Sequence, residues 1–393
     1  MRRMAVRAGR AWLPGLLFGL AACRGPSPPV ESVTSSAAAD GSGSWSWDLP
    51  AHCPPPPVPA DAPMSAAMVE LGRHLFYDER LSGDGTLSCA GCHLQSHAFS
   101  DPRPISTGIT GEVTRRNSMS LVGAGYVTHL TWAHPTLDRL EAQALIPLFG
   151  DFPIEMGAAG AEQEVLDRLA ADVRYAQLTS AAFVEGGPLT WNRITRALAT
   201  FQRSLVSCAA PYDRYIQGET DAMSESAARG MELFFSERTE CFHCHGGVMF
   251  SDSSSHEGAI AAENAFHNTG LYNLDGSGAY PANDPGLMEF TENPADMGRF
   301  RAPSLRNIAL TAPYMHDGSM GSLLGVITHY SAGGRTIPFG PNAGVGSDSP
   351  LKSEFVPGFL LTDDETNDLL AFLHALTDPT LATRAEWSNP WER

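Results

Sequence analysis

The sequence predicts an all-α chain of two domains with long surface loops. Apolar residues recur at helical spacing in several stretches, and nowhere do they alternate with period two over a strand's length. A unit of helix, Cys-x-x-Cys-His, loops and helix occurs twice. The 393 residues suffice for two cores of ordinary size, one for each unit.

Met64, Met68, Leu71 and Leu75 share one face of a helix that leads into the first Cys-x-x-Cys-His. Ile194, Leu198, Phe201 and Leu205 mark a second amphipathic helix, and Met231 to Phe235 closes a third before the second motif. Thr362-Asp363-Asp364-Glu365 is a capping-box start for a helix carrying Leu369, Leu370, Leu373 and Leu376. The polar segments Ser251 to Asp284 and Pro338 to Pro350, rich in Gly, Ser, Asn and Asp, read as loops. The expected domains are 61–215 and 216–393, with a tail helix of the second packing back on the first.

Before residue 61 the chain reads differently. An opening with Arg2, Arg3, Arg7 and Arg10 precedes the apolar run Ala11 to Ala22, which is too short to span a bilayer. Residues 1–22 thus read as an export signal, and Leu20-Ala21-Ala22-Cys23 looks like a bacterial lipobox with Cys23 as the lipidated first mature residue. An ordinary signal peptidase site beside a chance cysteine is the alternative. Residues 23–60, mostly Ser, Pro, Gly and Ala, have the composition of a flexible tether. The expected location is the periplasm, with contact to the membrane through the lipid alone.

Charge narrows the partners. With 26 Lys and Arg against 44 Asp and Glu, the net charge is −18. So acidic a surface argues against nucleic acid and for a basic or locally basic protein partner.

Cys89-Ala90-Gly91-Cys92-His93 and Cys241-Phe242-His243-Cys244-His245 carry the chemistry. Thiols at i and i+3 can add to the two vinyl groups of one porphyrin, and the next histidine then serves as an iron ligand. Two such motifs in an exported chain imply two covalent haem c groups in cytochrome c-like domains. A redox Cys-x-x-Cys pair would not need the histidine twice, and a zinc site is the other alternative. His243 is expected at the haem edge. Of seven cysteines, four go to haem and one to lipid, which leaves Cys53 and Cys208 for a disulfide.

Further motifs stand in order along the chain: Leu71-Gly72-Arg73-His74-Leu75-Phe76-Tyr77-Asp78, Phe99-Ser100-Asp101, Arg116-Asn117, Leu140-Glu141-Ala142-Gln143, Ile154-Glu155-Met156-Gly157, Ala302-Pro303-Ser304-Leu305-Arg306-Asn307 and Thr311-Ala312-Pro313-Tyr314-Met315-His316-Asp317-Gly318. With them the chain resembles the di-haem cytochrome c peroxidase and MauG superfamily from about Ala66 to Pro379. The resemblance implies that the haem on His93 meets peroxide, with Glu155 as acid and base, Gln143 as a polar pocket neighbour and Pro153 as a pocket wall. A carboxylate in a partly apolar pocket has a suitable pKa for moving a proton between peroxide oxygens. Trp132 matches the tryptophan between the haems, although the usual Trp-Asp-Gly-Arg reads Trp132-Ala133-His134-Pro135 here. Gln143 and Glu155 are two positions further apart than in the common pattern. Ile109 occupies the position where a distal histidine would sit.

For the second haem the resemblance points to a distal ligand within Val326-Ile327-Thr328-His329-Tyr330, which makes Tyr330 the candidate, with Met315 and Met320 as rivals. Asn117, Thr311 and Pro313 match residues that hold one structural calcium ion, a hard cation suited to oxygen donors. Leu130 to Pro135 and Pro147 to Gly150 look most like the MbnH-like branch. That branch implies a charge-shared bis-Fe(IV) state and oxidation of tryptophan to kynurenine in a copper-binding partner, MbnP. The expectation is a di-haem oxidoreductase that uses hydrogen peroxide to oxidise a periplasmic protein. The rivals are a cytochrome c peroxidase fed by a small electron-donor protein, and a non-catalytic electron-transfer cytochrome with both irons saturated.

Overall fold

The computed structural model describes residues 45–257 and 266–392. The export signal, Cys23 and most of the expected tether lie outside the described residues.

Ser65 caps the helix Ala66–Phe76 by accepting from the Met68 N–H, so Met64 precedes the helix although it is buried. Met68, Leu71, Leu75 and Phe76 turn inward against the helix Trp191–Ser204, which buries Ile194, Leu198 and Phe201. The two backbones cross closely at Gly72, where a Cβ would lie 2.0 Å from the Ala197 carbonyl oxygen. Any larger residue would force the helices apart. The second half repeats the device. Helix Glu225–Phe234 packs on helix Asp363–Ala375, and a Cβ on Gly230 would lie 1.9 Å from the Asp368 carbonyl oxygen. The capping box forms as expected, with Thr362 and Glu365 bonding each other's backbone N–H.

Two cores result. One gathers Leu71, Phe76, Phe99, Leu148, Leu198 and Phe201; the other gathers Phe234, Phe250, Tyr314, Ile327 and Phe372. Each fully buried Leu or Phe contributes roughly 1.5–3 kcal/mol. The described residues nevertheless cluster as one compact unit, and the two cores do not divide cleanly at 215/216. Helix Asp363–Ala375 stays with the second core, and what crosses to the first is the segment beyond it. Leu381 and Trp387 are buried in the first core, Tyr77 donates its hydroxyl to the Trp387 carbonyl, and Arg73 donates to the carbonyls of Ala385 and Ser388.

The all-α expectation needs amendment. The fold is mostly helical, but Phe266–His267 pairs with Phe300–Arg301 and Thr336–Ile337 with Gly344–Val345, both antiparallel. Strands of two residues are too short to show alternation in sequence.

Cys53 and Cys208 are bonded, with Cα atoms 6.3 Å apart. Around the bond pack Trp47, Leu49, Tyr126, Val206 and Met249. Residues 45–60 are therefore packed structure, which corrects the expected tether boundary at residue 60: Trp45, Trp47 and Leu49 interrupt its polar composition. His52 anchors the same stretch through Asp213, which also receives a buried bidentate bond from Arg306. Among the described residues, no helix is long and apolar enough to cross a membrane.

Candidate haem centres

Each Cys-x-x-Cys-His forms a tight helical turn that ends on its histidine. Cys89–Gly91 is a 3-10 turn, and Cys241–Cys244 is a single α turn. Just beyond, the chain doubles back through a phenylalanine in the left-handed region, Phe99 at φ 59° and Phe250 at φ 51°. The carbonyls of these two residues face the histidines: His93 Nδ1 lies 2.8 Å from the Phe99 oxygen, and His245 Nδ1 lies 3.1 Å from the Phe250 oxygen. An Nδ1–H committed to a carbonyl fixes the tautomer and leaves Nε2 as the metal-binding lone pair. Burial also holds both imidazoles below their ordinary pKa, which favours the neutral form a metal ligand needs.

The first cavity, of about 580 Å³, is lined by Phe76, Cys89, Cys92, His93, Leu121, Gln143, Pro147, Leu148 and Glu155. The Glu155 carboxylate and the Gln143 amide make no side-chain hydrogen bond among the described residues. Burial raises the Glu155 pKa above its ordinary value. The proline on this wall is Pro147, not Pro153, which is absent from the cavity lining. Pro147 lies on the short helix Leu145–Phe149, which follows directly on the helix carrying Gln143. Pro153 falls in the bend after that helix, which takes up the extra residues between Gln143 and Glu155. Ile109 does not face the cavity; it packs over Gly157, where a Cβ would meet its Cδ1 at 2.5 Å.

The second cavity, of about 1250 Å³, is lined by Cys241, Cys244, His245, Trp132, Met315, Tyr330 and largely apolar neighbours. Tyr330 projects from helix Leu323–Ser331, and its hydroxyl makes no hydrogen bond among the described residues; burial raises its pKa. Met315 shares the wall, whereas Met320 does not. His243 stands outside, 2.8 Å from Glu240 and stacked on Phe355, which itself lines the cavity.

Segment 117–121 joins the centres. Trp132 Nε1 donates to the Asn117 carbonyl at 2.8 Å, and Leu121 lines the first cavity. From the same segment the Met119 sulfur receives Arg301 Nη2, and Arg301 lines the second cavity. The Asn117 Oδ1 and the carbonyls of Thr311 and Pro313 accept no hydrogen bond among the described residues. The Asn117 N–H reaches the His316 carbonyl at 2.7 Å, which ties Asn117 to the turn that carries Thr311 and Pro313.

Sequence reasoning missed Arg301 and His316. Arg301 is buried on the second cavity's wall and bonds a carbonyl and a thioether; among the described residues no carboxylate forms a salt bridge with it, and Asp252 acts on it only at longer range. A buried guanidinium without a counter-ion is costly, and a porphyrin propionate would supply one. His316 stacks on Phe300 at 3.6 Å, and burial pushes its pKa down to about 4. His316 stood inside a quoted motif without an assigned role; Arg301, just before Ala302-Pro303, gave no signal. Both cavities thus fit haem: paired thiols, an oriented imidazole, apolar walls and, in the second, an unpaired cation.

A family model described as di-haem cytochrome c peroxidase matches residues 66–221. The cytochrome-c peroxidase IdrP1 of Denitromonas iodatirespirans is 36% identical over 341 residues, which span 82% of this chain and 85% of that protein. The chain belongs to the di-haem cytochrome c peroxidase family. It is a di-haem oxidoreductase, and membership of the family implies two haem c groups. Within this family the methylamine utilization protein MauG of Methylorubrum extorquens is 34% identical, covering 80% of this chain and 79% of its own. Among solved structures, a MauG-like protein associated with microbial copper homeostasis superposes with a TM-score of 0.86 at 51% identity, covering 88% of this chain and 99% of its own.

Proposed function

We propose that this di-haem enzyme uses hydrogen peroxide to oxidise a tryptophan to kynurenine in a copper-binding partner protein of the MbnP type, in the periplasm. The observation that carries this reading is Tyr330, whose hydroxyl enters the second cavity without a protein partner. A phenolate is anionic and hard, and it stabilises high-valent iron better than a thioether does. The likeness to a MauG-like protein associated with copper homeostasis supports a partner in copper handling.

Haem at the two centres supplies the iron chemistry that takes oxidising equivalents from peroxide. The chain's own residues divide the remaining work. Glu155 would take a proton from one peroxide oxygen and return it to the other, and the Gln143 amide would orient the same substrate. Phe76, Pro147 and Leu148 exclude water around them. Trp132, on the second wall, carries electrons between the centres. The acidic surface, net −18, favours a partner with a basic face. Asn117, Thr311 and Pro313 offer oxygen donors to one calcium ion, and Cys23 carries the lipid anchor.

The second reading is reduction of peroxide to water with electrons from a small redox protein. Met315, a thioether on the same cavity wall, favours it, as does similarity to proteins named cytochrome-c peroxidases. A purely electron-transferring cytochrome would leave the unpartnered Glu155 and Gln143 without a purpose. The test is to incubate the two-haem enzyme with peroxide and the copper-binding partner, then map the partner by peptide mass spectrometry. Kynurenine at a tryptophan supports the proposal; an unmodified partner, with peroxide consumed only when a reduced cytochrome or cupredoxin is added, overturns it.

A further inference from the structure

Among the described residues the Glu155 carboxylate has no side-chain partner, so its position is set through the backbone. Of the four hydrogen bonds that converge on its segment, one runs from the Met156 N–H to the Pro147 carbonyl at 2.9 Å, and the other three come from residues 83 to 112. The Ile109 N–H donates to the Glu155 carbonyl at 2.9 Å, and the Gly83 N–H donates to the Met156 carbonyl at 2.7 Å. The third is different in kind: the exposed carboxylate of Glu112 accepts from the Ile154 N–H at 2.8 Å.

Ile109 and Glu112 belong to one turn. Its ends are tied by the Thr114 N–H donating to the Ser106 carbonyl at 2.9 Å, and its tip by the Gly108 N–H donating to the Glu112 carbonyl at 2.8 Å. Gly108 lets the turn lie against the catalytic segment, since a Cβ there would stand 1.9 Å from the Ile154 carbonyl oxygen. A surface glutamate normally has no effect on a buried site when replaced. This one closes a rigid turn over the residue preceding Glu155.

We propose that Glu112 is a positioning residue: by holding the Ile154 N–H it aims the neighbouring Glu155 side chain into the first cavity. The inference rests on the acid–base reading of Glu155. A small misplacement of a proton-transferring group costs rate far more than it costs folding. The Ile154 N–H is exposed enough for water to replace the carboxylate, and the Ile109 and Gly83 contacts remain, so the fold survives the loss.

The test compares haem-loaded Glu112→Ala with Glu112→Gln, whose amide oxygen still accepts a hydrogen bond. Two readouts are taken: hydrogen–deuterium exchange at the Ile154 amide, and the pH profile of peroxide consumption. In Glu112→Ala the amide exchanges faster, peroxide consumption falls about tenfold, and the acid limb of the profile moves to lower pH as Glu155 becomes better solvated. Glu112→Gln behaves as the unaltered enzyme in all three. Unchanged exchange in Glu112→Ala overturns the proposal, and so does faster exchange with an unchanged rate and profile. Glu155→Gln is the control: if it keeps the full rate, the acid–base reading itself falls, and the proposal with it.

Discussion

Trp132 donates its indole N–H to the carbonyl of Asn117 at 2.8 Å, which fixes a wall of the second cavity to the segment that runs into the first. Replacing it by phenylalanine removes both the anchor and an oxidisable indole on that wall. Trp132→Phe is expected to keep both haems and to lose about 1 kcal/mol of stability from the broken hydrogen bond. After peroxide addition, optical changes should stay at the first centre; changes at both centres would remove Trp132 as the connection.

The proposed function makes Glu155 the proton carrier of the first centre. Glu155→Gln is expected to slow the peroxide reaction by about 10²–10⁴-fold with haem content unchanged. Burial raises the Glu155 pKa above the ordinary 4.5, so its acid form persists to higher pH. Because the carboxylate form must take the first proton, the rate should fall as pH drops through a midpoint above 4.5, and stopped-flow rates against pH measure that midpoint.

Tyr330 and Met315 compete for the second centre, and single substitutions separate them. Tyr330→Phe is expected to change the low-spin electron paramagnetic resonance signal of the second haem, while Met315→Leu leaves it in place. The opposite pattern would make Met315 the ligand and favour the reading in which peroxide is reduced to water.

The Cys53–Cys208 bond closes a loop of 155 residues in sequence. Cross-links of that span stabilise by roughly 2–5 kcal/mol, chiefly by restricting the unfolded chain. The Cys53→Ser/Cys208→Ser variant is expected to melt several degrees lower in calorimetry, with both haem spectra unchanged before the transition.

What could be read from sequence was local or arithmetic. The Cys-x-x-Cys-His motifs, the Thr362–Glu365 box and the Cys53–Cys208 pair each follow from residue types at short spacing or from counting; the box and the bond form in the structure, and the histidine of each motif is held by a carbonyl. Pro153 was misplaced because spacing along the chain does not tell which proline of a lengthened loop faces inward; only the short helix Leu145–Phe149 decides for Pro147. Arg301 left no trace, since its importance lies in lacking a carboxylate partner, a property of burial rather than of sequence. The crossing of Trp387 into the first core was hidden for a related reason. Its contacts with Phe99 and Tyr77 join residues almost the whole chain apart.

On the proposed function the two centres are unequal, the His93 centre meeting peroxide and the His245 centre sharing its oxidising power. The most direct test adds one equivalent of hydrogen peroxide to the fully oxidised two-haem protein and follows optical, Mössbauer and electron paramagnetic resonance spectra together. The expected outcome is a persistent state two equivalents above the resting one, with both iron signals altered and no porphyrin radical. No reaction with peroxide, or a change confined to one iron with a porphyrin radical, would contradict it.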